Sequence, residues 1–320
     1  MDKNAAIYIA DDEGLVGNAL RCELQREGYT RLLSGTGGPR LTDSTEVDAF
    51  FARTRPAYVF LIGGKTGGIK ANQNYPATLM RDNLLVNCHV IESARRYHVQ
   101  KLLYLGSSCV YPKFSQQPMK VEYLTTGKLE PTNEPYALAK LAGLFLCQAY
   151  RQQFGSRFIT AIPANFFGPG DSFDLDDAHV VGALLRRLHE AKIREEKYVE
   201  IWGSGLPRRE FIFSEDLARA CLFLMDAYDA AEPLNIGVGY DWSIKEIAEM
   251  IREVVGYSGE LRFDRTKPDG MPAKLLDSEV LKHMGWQPRT SIREALALTY
   301  EWFRQHELRV EGTGDARAVL

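Results

Sequence analysis

Two residues that can move a proton together, Tyr136 and Lys140, stand four positions apart in this chain. On a helix, side chains at positions i and i+4 lie one turn apart on the same face. An ammonium group beside a phenol favours the phenolate and so lowers the pKa of the phenol. Such a pair can donate or accept a proton near neutral pH, as the reduction of a carbonyl or the oxidation of an alcohol requires. The same spacing arises by chance on many helices, so its meaning depends on the elements that position it.

Short apolar segments alternate with helical patterns through the first half of the chain. We predict strands at 5–10, 57–62, 102–105 and 158–164, and helices at 15–26, 79–97 and 135–153. Continuous apolar strands between helices are typical of a parallel sheet that is covered on both faces. The sequence therefore predicts an α/β protein with a Rossmann-type, doubly wound parallel sheet. In such sheets ligands bind at the carboxyl ends of the strands.

The composition excludes several classes of protein. The 320 residues are 45% hydrophobic and carry a formal net charge of −3, which gives no attraction to nucleic acid or to an anionic membrane. No apolar run is long enough to span a bilayer, and the first residues lack the pattern of a signal peptide. The five cysteines are scattered, so we expect neither a disulfide framework nor a metal site. A cytoplasmic location fits this cysteine usage best.

The loop after the first strand carries part of a dinucleotide-binding fingerprint. Two of its glycines stand where the second and third glycines of the fingerprint lie, at the start of a helix that would face a pyrophosphate. The first glycine is missing: Asp12 occupies its place in the common spacing, and Asp11 in a variant one residue wider. Acidic residues are unfavourable beside a pyrophosphate, so a turn that binds nothing is an equal alternative. The candidate cofactor-binding residues here are Gly14, Leu15, Val16 and Gly17.

Polar and small residues also follow the later strands. The glycine-rich segment 63–69 leaves room for a cofactor or a substrate. After the next strand, Ser107 is well placed to hydrogen-bond the carbonyl oxygen of a substrate. Serines at this position can equally satisfy backbone groups at the end of a strand.

Together these segments resemble the extended short-chain dehydrogenase/reductase family and, within it, the GDP-L-fucose synthases. The resemblance runs from about Ile7 to Gln305, nearly the whole chain. Its specific segments are 67–69, 105–113, 129–137, 165–169, 179–187, 202–205, 208–211 and 267–270. It implies an enzyme that epimerises and reduces GDP-4-keto-6-deoxy-D-mannose to GDP-L-fucose, or a close GDP-sugar analogue.

The resemblance implies catalytic roles for five residues. Tyr136 would protonate a ketone oxygen, Lys140 would lower the pKa of Tyr136 and hold the nicotinamide ribose, and Ser107 would orient the ketone. Cys109 and His179 would supply the base and the acid that invert C3 and C5, where the 4-keto group acidifies the protons. By residue type alone, Cys109 is more typical of a small buried apolar residue, and His179 of a polar loop residue or a helix cap.

The resemblance also implies binding residues. Arg187 and Arg209 match positions that contact the diphosphate of the substrate, and guanidinium groups suit phosphate oxygens. A solvated helix face and a turn, respectively, are the alternatives for these arginines. The candidate substrate-binding residues are Ser108, Arg187, Trp202, Arg209, Lys267 and Asp269. The candidate cofactor-binding residues outside the first loop are Arg40, Lys140, Asn165 and His179.

The chain departs from the family pattern where the cofactor would bind. Family members carry Gly-His-Arg in place of 11–13, and that arginine helps to bind the 2′-phosphate of NADP; this chain has Glu13 there. A second family arginine falls in the glycine-rich segment 34–38 and is also missing, which leaves Arg40 as a substitute. The resemblance still implies NADP(H), with NAD(H), weak binding or no dinucleotide binding as alternatives.

Three functions are therefore open. The first is the complete epimerase-reductase. The second is a family member that performs epimerisation alone or uses another sugar nucleotide. The third is a catalytically silent protein that binds a sugar nucleotide, which the acidic segment 11–13 motivates and the catalytic set opposes.

The expected organisation has two domains and a tail. We predict a dinucleotide-binding domain at 1–165 to which later segments return, a substrate domain at 166–306 and a flexible polar tail at 307–320. A capping box at Ser243-Ile-Lys-Glu246 indicates the start of a helix. The resemblance implies a homodimer formed through the helix of Tyr136. The sequence does not divide that helix's apolar residues between core and dimer contact; these are Leu138, Leu141, Leu144 and Phe145.

Overall fold

A computed structural model describes residues 1–33, 38–175, 178–267 and 269–312 of the chain. The strands are β1 (Ile7–Ala10), β2 (Leu32–Leu33), β3 (Tyr58–Leu61), β4 (Lys101–Leu105), β5 (Phe158–Pro163), β6 (Asn165–Phe167), β7 (Tyr198–Trp202), β8 (Arg208–Arg209), β9 (Phe211–Phe213), β10 (Leu234–Ile236), β11 (Trp242–Ser243), β12 (Glu260–Asp264) and β13 (Ala273–Lys274). The α-helices are α1 (Leu15–Arg26), α2 (Ser44–Thr54), α3 (Ile69–Asn74), α4 (Pro76–Arg96), α5 (Glu134–Phe154), α6 (Val180–Ile193), α7 (Ser214–Ala227), α8 (Ile244–Val255), α9 (Glu279–His283) and α10 (Ile292–Gly312). Two 3-10 helices span Ser108–Val110 and Val121–Tyr123.

A six-stranded parallel sheet forms the larger domain, in the order β10-β5-β4-β3-β1-β2. Its central strands are buried on both faces, as the continuous apolar runs predicted. The predicted fold class is confirmed, and the bounds of the predicted strands and helices differ from the observed ones by at most three residues at either end. The chain order reverses between β1 and β3, so the loops after these two strands diverge and leave a crevice at their carboxyl ends.

The helices cover both faces of this sheet. Helix α1 packs with α7, and α4 packs with α5 and α2. Helix α5 approaches β4 closely because Gly143 has no side chain: a Cβ there would lie 2.4 Å from the ring of Tyr104. The Tyr104 hydroxyl in turn donates to the backbone oxygen of Lys140 at 3.2 Å. This contact fixes the helix that carries Tyr136 and Lys140 against the strand that precedes Ser107.

The smaller domain has a separate hydrophobic core. Helices α6, α8 and α10 pack around β7 and β12, which pair in parallel, and around the aromatic residues of β6 and β9. Strand β8 lies between β11 and β13 in a small three-stranded sheet. Strand β10 and helices α7 and α9 return to the larger domain, where β10 forms the edge of the main sheet. These segments from beyond residue 165 thus pack with the sheet of the larger domain.

The C-terminal boundary was predicted wrongly. Helix α10 begins at Ile292 and continues to Gly312, so the tail that we expected from Glu307 starts inside a helix. Helical hydrogen bonding from the amphipathic residues upstream extends past the point where the apolar pattern ends. Residues 313–320 of the expected tail lie outside the described residues.

Candidate active site

The candidate catalytic residues come from three elements of the fold. Ser107 and Cys109 lie in the turn after β4, and Tyr136 and Lys140 lie in the first two turns of α5. His179 immediately precedes α6. Two of these elements meet because α5 packs against the 3-10 helix at Ser108–Val110. The structure thus brings the residues from β4 and α5 to the carboxyl edge of the sheet, where such folds bind ligands.

Lys140 is buried beneath the crevice. Its Nζ donates to the backbone oxygens of Gly63 at 3.1 Å and Leu105 at 3.3 Å, and its exposed fraction is only 2%. Burial lowers the pKa of Lys140 to about 8, and the negative charge of Asp11 opposes that shift. The ammonium is therefore held at the ends of β3 and β4 and can lose its proton in the alkaline range.

Tyr136 does not have the depressed pKa that its spacing from Lys140 predicts. Burial raises the pKa of its phenol, the charge of Cys109 raises it further, and only a hydrogen bond with Ser107 lowers it. Lys140 gives its hydrogen bonds to backbone oxygens instead, so desolvation dominates. The expectation that Lys140 lowers the pKa of Tyr136 is wrong in this structure. A phenol that keeps its proton at neutral pH is suited to donate it.

Cys109 is surrounded by polar donors rather than by apolar residues. The Nδ2 of Asn133 lies 3.1 Å from its Sγ, and the Nζ of Lys274 lies 3.3 Å from it. Burial raises the pKa of the thiol, but the charge of Lys274 and hydrogen bonds from Ser107, Lys274 and Asn133 outweigh it, so that the pKa is lowered. The side chain is partly exposed. These contacts favour the thiolate form of Cys109. They do not fit the alternative role of a small residue packed in an apolar core.

His179 shares the positive environment of this thiol. It occupies the N-cap position of α6, but its side chain makes no capping hydrogen bond, so the helix-cap alternative does not apply to the imidazole. The residue as a whole is exposed, yet desolvation by neighbouring protein atoms and the charge of Lys274 lower the pKa of its imidazole. Lys274 therefore acts electrostatically on both candidate proton-transfer groups.

The candidate substrate-binding residues fall into two groups. Arg187 is half-buried on α6, and Arg209 is half-buried on β8, where burial lowers its pKa and Cys109 opposes the shift. Trp202 lies at the rim with 59% exposure, and the Nζ of Lys267 is 5.3 Å from its ring centroid.

Two other candidates for substrate binding are engaged or covered. Both carboxylate oxygens of Asp269 accept hydrogen bonds from Ser204, at 2.6 Å from its backbone nitrogen and 2.8 Å from its hydroxyl. Ser108 is only 4% exposed. Their expected substrate contacts remain predictions, with a structural contact at Asp269 and little accessible surface at Ser108.

The loop after β1 has the backbone shape of a dinucleotide loop despite its acids. Asp11 has φ of 68°, in the left-handed region that favours glycine, so it takes the place of the first fingerprint glycine. A Cβ on Gly17 would lie 2.5 Å from the Cα of Asp12, so only glycine lets α1 pack this closely on the loop. A Cβ on Gly14 would meet nothing within 4 Å, which leaves the N-terminus of α1 open to a phosphate.

The acids of this loop are used differently from one another. The Asp12 carboxylate pairs with Arg21 at 3.3 Å, whereas an oxygen of Asp11 accepts from the backbone nitrogen of Gly64 at 3.3 Å. Glu13 is exposed. Arg40, the expected substitute for the missing arginines, pairs with Asp43 and Glu46.

The remaining cofactor predictions are not decided by these contacts. Residues 34–37, where the second family arginine is missing, lie outside the described part of the chain. Asn165 is half-buried at the start of β6. The predicted contacts of Asn165, Leu15 and Val16 with a dinucleotide remain predictions.

Sequence reasoning missed two residues that organise this region, Lys274 and Glu210. Lys274 lies only four positions after the matched segment 267–270, and no local spacing connects it to Cys109. Glu210 belongs to the matched segment 208–211, and its carboxylate accepts backbone hydrogen bonds from Val238, Gly239 and Leu276. Its 1% exposure could not be read from a sequence in which most glutamates lie on the surface. Among the described residues, no group of acidic, histidine and cysteine side chains could hold a metal ion.

Comparisons with known proteins agree with this geometry. The model of the NAD dependent epimerase/dehydratase family matches residues 9–237. GDP-L-fucose synthase 1 of Arabidopsis thaliana is 48% identical over 303 residues, which cover 94% of each chain. A crystal structure of a GDP-6-OMe-4-keto-L-xylo-heptose reductase from C. jejuni superposes with a TM-score of 0.91 at 33% identity, covering 95% of this chain and 99% of that one.

A second solved structure carries the cofactor. The GDP-mannoheptose C4 reductase from Campylobacter jejuni with NADP bound is 35% identical, with a TM-score of 0.88, and covers 95% of this chain and 99% of that chain. The similarity therefore extends over both domains and both candidate binding regions. The chain belongs to the NAD dependent epimerase/dehydratase family and, within it, to the group of the GDP-L-fucose synthases.

Proposed function

We propose that this protein converts GDP-4-keto-6-deoxy-D-mannose to GDP-L-fucose by epimerisation at C3 and C5 and reduction at C4, with NADP(H) as cofactor. The observation that carries the proposal is the juxtaposition of a proton-donating phenol, Tyr136, with a thiol held towards its anionic form, Cys109. A reductase would need only the phenol of Tyr136 as a proton donor. Inversion of carbon centres also needs a base, which the thiolate of Cys109 would supply. The names of the relatives, a GDP-L-fucose synthase and a reductase of a GDP-4-keto sugar, support the proposed product and the reduction step.

The epimerisation half rests on Cys109 and His179. The 4-keto group acidifies the protons on C3 and C5, so the Cys109 thiolate takes a proton from one of these carbons and leaves an enolate. His179 returns a proton to the opposite face of the same carbon, which inverts it. The enolate charge then collapses back to the ketone, and solvent re-equilibrates the two side chains. A base and an acid on opposite faces are the minimum that this inversion requires.

The reduction half rests on Ser107, Tyr136 and Lys140. The nicotinamide of NADPH supplies the hydride for C4 when it is bound. Tyr136 then donates its proton to the ketone oxygen, and Ser107 hydrogen-bonds that oxygen beforehand. Lys140 fixes the loops at Gly63 and Leu105 and keeps a positive charge beneath the crevice. General acid catalysis of this kind contributes about 10²- to 10⁴-fold.

The diphosphates are assigned to separate parts of the structure. Arg187 and Arg209 would bind the diphosphate of the GDP-sugar, for which their planar guanidinium groups are suited. The open N-terminus of α1 at Gly14 would receive the pyrophosphate of the dinucleotide. These residues fit the cofactor's pyrophosphate, while Glu13 does not favour a 2′-phosphate.

Deuterium exchange tests the proposed function directly. GDP-4-keto-6-deoxy-D-mannose would be incubated with the protein in D₂O, with and without NADPH, and the sugar followed by NMR. We expect deuterium at C3 and C5, and GDP-L-fucose together with NADPH oxidation when the cofactor is present. Exchange without NADPH oxidation would support an epimerase alone. Neither reaction, in protein that binds the sugar nucleotide, would support the catalytically silent alternative.

A cytoplasmic homodimer is part of the proposal. Leu138 and Phe145 lie seven positions apart on one face of α5 and are 40% and 46% exposed, whereas Leu141 and Leu144 are buried in the core. Exposed apolar residues on one helix face suit a helix-to-helix contact between two copies. No helix among the described residues has the length and apolar character needed to cross a membrane.

Introducing negative charges into the exposed apolar face of α5 tests the proposed dimer. We expect the double variant Leu138→Asp with Phe145→Asp to elute as a monomer in size-exclusion chromatography with light scattering, while the unmodified protein elutes as a dimer. The exposed Leu298→Asp on α10 is the matched control, with 46% exposure away from α5. A dimer that survives the double variant would place the interface elsewhere.

A further inference from the structure

The side chain of Lys274 is committed to Cys109. It is 9% exposed, its Nζ lies 3.3 Å from the Cys109 Sγ, and the two residues are 165 positions apart in the chain. Among the residues that the structure describes, Cys109 is the only hydrogen-bond partner of this ammonium, and no carboxylate forms an ion pair with it. Burying an ammonium without an anionic partner costs free energy. An ionised Cys109 thiol supplies such a partner, whereas a neutral thiol does not.

Backbone contacts hold Lys274 in this position. Its strand β13 pairs in parallel with β8, and the nitrogen of Glu210 donates to the Lys274 oxygen at 3.0 Å. The next two residues are also fixed: Met119 donates to the Leu275 oxygen at 2.7 Å, and the Leu276 nitrogen donates to the Glu210 carboxylate at 2.9 Å. Hydrogen bonds to residues 119 and 210 therefore hold the backbone of this segment in place. The fixed backbone positions the Lys274 ammonium beside the Cys109 thiol.

We propose that Lys274 is the positioning residue that keeps Cys109 as a thiolate ready to accept a proton, with Asn133 as the second donor to the same sulfur. The use of that thiolate in epimerisation rests on the proposed function, but the state of the thiol does not. Removing the ammonium leaves only the neutral donors Asn133 and Ser107 to stabilise the thiolate, while desolvation of the sulfur favours the neutral thiol. The proposal thus assigns to Lys274 a role in preparing the base before any substrate is bound.

Other groups around the sulfur do not replace Lys274. Among the described residues, the titratable side chains that interact electrostatically with Cys109 are Lys274 from β13, Arg209 from β8 and Tyr136 from α5. Arg209 donates to the backbone oxygen of Arg208 at 2.8 Å and has no hydrogen bond to the sulfur among the described contacts. Tyr136 is neutral while its phenol keeps its proton. Lys274 is therefore the cation in direct contact with the sulfur.

The test measures the ionisation of Cys109 without substrate or cofactor. Cys22 and Cys88 are exposed, so both are changed to serine first, whereas Cys147 and Cys221 are buried. The rate of Cys109 alkylation by iodoacetamide is then followed from pH 5 to 10 by peptide mass spectrometry. The background protein is compared with Lys274→Met, Lys274→Arg and the control Lys282→Met, whose side chain is exposed.

We expect Lys274→Met to raise the midpoint of alkylation by about one pH unit or more, since an opposite charge at this distance shifts a pKa by roughly 1–3 units. At a pH below both midpoints the alkylation rate would fall about tenfold or more. Lys274→Arg would restore the midpoint, and Lys282→Met would leave it unchanged. The His179 imidazole, assigned by NMR against His179→Asn, would also titrate at higher pH in Lys274→Met.

Two results would overturn the proposal. One is an unchanged Cys109 midpoint in Lys274→Met that unfolds at the same temperature as the background protein. The other needs no lysine variant: a Cys109 midpoint at or above that of an ordinary thiol, about 8.5, in the background protein. Failure of the proposed function is separate, because a shifted thiol midpoint with no deuterium exchange into any 4-keto sugar nucleotide would retain the role of Lys274 and remove the reaction.

Discussion

The loop after β1 and the cluster around Cys109 lie at the same edge of one sheet but carry opposite charge. The loop presents Asp11 and Glu13, both exposed, at the N-terminus of α1. The cluster brings Lys274 into contact with the sulfur and Arg209 close enough to interact with it electrostatically. The first region would meet a dinucleotide, and the second a sugar nucleotide, although both ligands carry a diphosphate.

The difference in charge between the two regions shows that the effect of a charged residue depends on which group it acts on. Asp11 accepts a hydrogen bond from the Gly64 nitrogen and opposes the lowering of the Lys140 pKa, so this acid favours the charged form of the buried candidate catalytic lysine. Glu13 has no such partner among the described contacts and remains free to act on a ligand. In the second region the cations act on Cys109 and on His179. One acid of the loop thus acts on Lys140, and we expect the other to act on the bound cofactor.

Variants that remove either reduction or epimerisation and keep the other reaction test this comparison most strongly. We expect Tyr136→Phe to lower the reduction rate by about 10²- to 10⁴-fold, because the proton donor is lost, while deuterium exchange at C3 and C5 continues. Cys109→Ala should do the reverse and abolish the exchange. Both rates are measured in D₂O by NMR and NADPH absorbance. Equal loss of both activities in Tyr136→Phe would show that the two halves are not separable.

Glu210, which follows Arg209 in the chain, has a buried carboxyl group whose ionisation can be tested. Burial raises its pKa from the usual glutamate range to about 7, against the three backbone hydrogen bonds that lower it. Because the folded pKa exceeds the unfolded one, its contribution to stability is complete below about pH 4.3 and is lost as the pH rises through 7. We expect the free energy of unfolding in urea to fall between pH 5 and 7.5 by an amount on the order of 2 kcal/mol larger than in Glu210→Gln. Identical pH slopes would mean that Glu210 is ionised throughout.

Charge reversal at Glu13 tests whether this residue faces the 2′ position of the bound cofactor. We expect Glu13→Arg to tighten NADPH binding by about tenfold and NADH binding by less, because only NADPH carries a 2′-phosphate for the new guanidinium. Nicotinamide fluorescence gives both dissociation constants. Glu27→Arg is the matched control, an exposed charge reversal just after the far end of α1. Equal gains for the two cofactors would show that Glu13 does not face the 2′ position.

Asp11→Asn should have the smallest effect. Asparagine tolerates the left-handed backbone at this position but carries no charge to act on Lys140. Since Asp11 raises the pKa of Lys140, its loss should lower that pKa further below about 8. If reduction needs the protonated ammonium, the rate would fall at a lower pH than in the unmodified protein. The pH profile of NADPH oxidation measures this shift, and an unchanged alkaline limb would contradict it.

The local patterns of the sequence determined the secondary structure. Alternation of apolar strands with helices identified the doubly wound sheet, because strands covered on both faces must be apolar along their length. The capping box at Ser243 and Glu246 forms as predicted. The spacing placed Gly17 at the third glycine of the fingerprint, and a Cβ at this position would lie 2.5 Å from the Cα of Asp12. Each of these features leaves a pattern among neighbours within a few positions of the chain.

The tertiary structure alone decided the charge states and the surfaces. The pKa of Tyr136 depends on burial, which the spacing of Lys140 does not reveal. The division of α5 into buried Leu141 and Leu144 and exposed Leu138 and Phe145 depends on which face meets the sheet. Lys274 reaches Cys109 across 165 residues only because β13 pairs with β8. Desolvation and long-range charge pairing are set by the packing of distant segments, so no local pattern contains them.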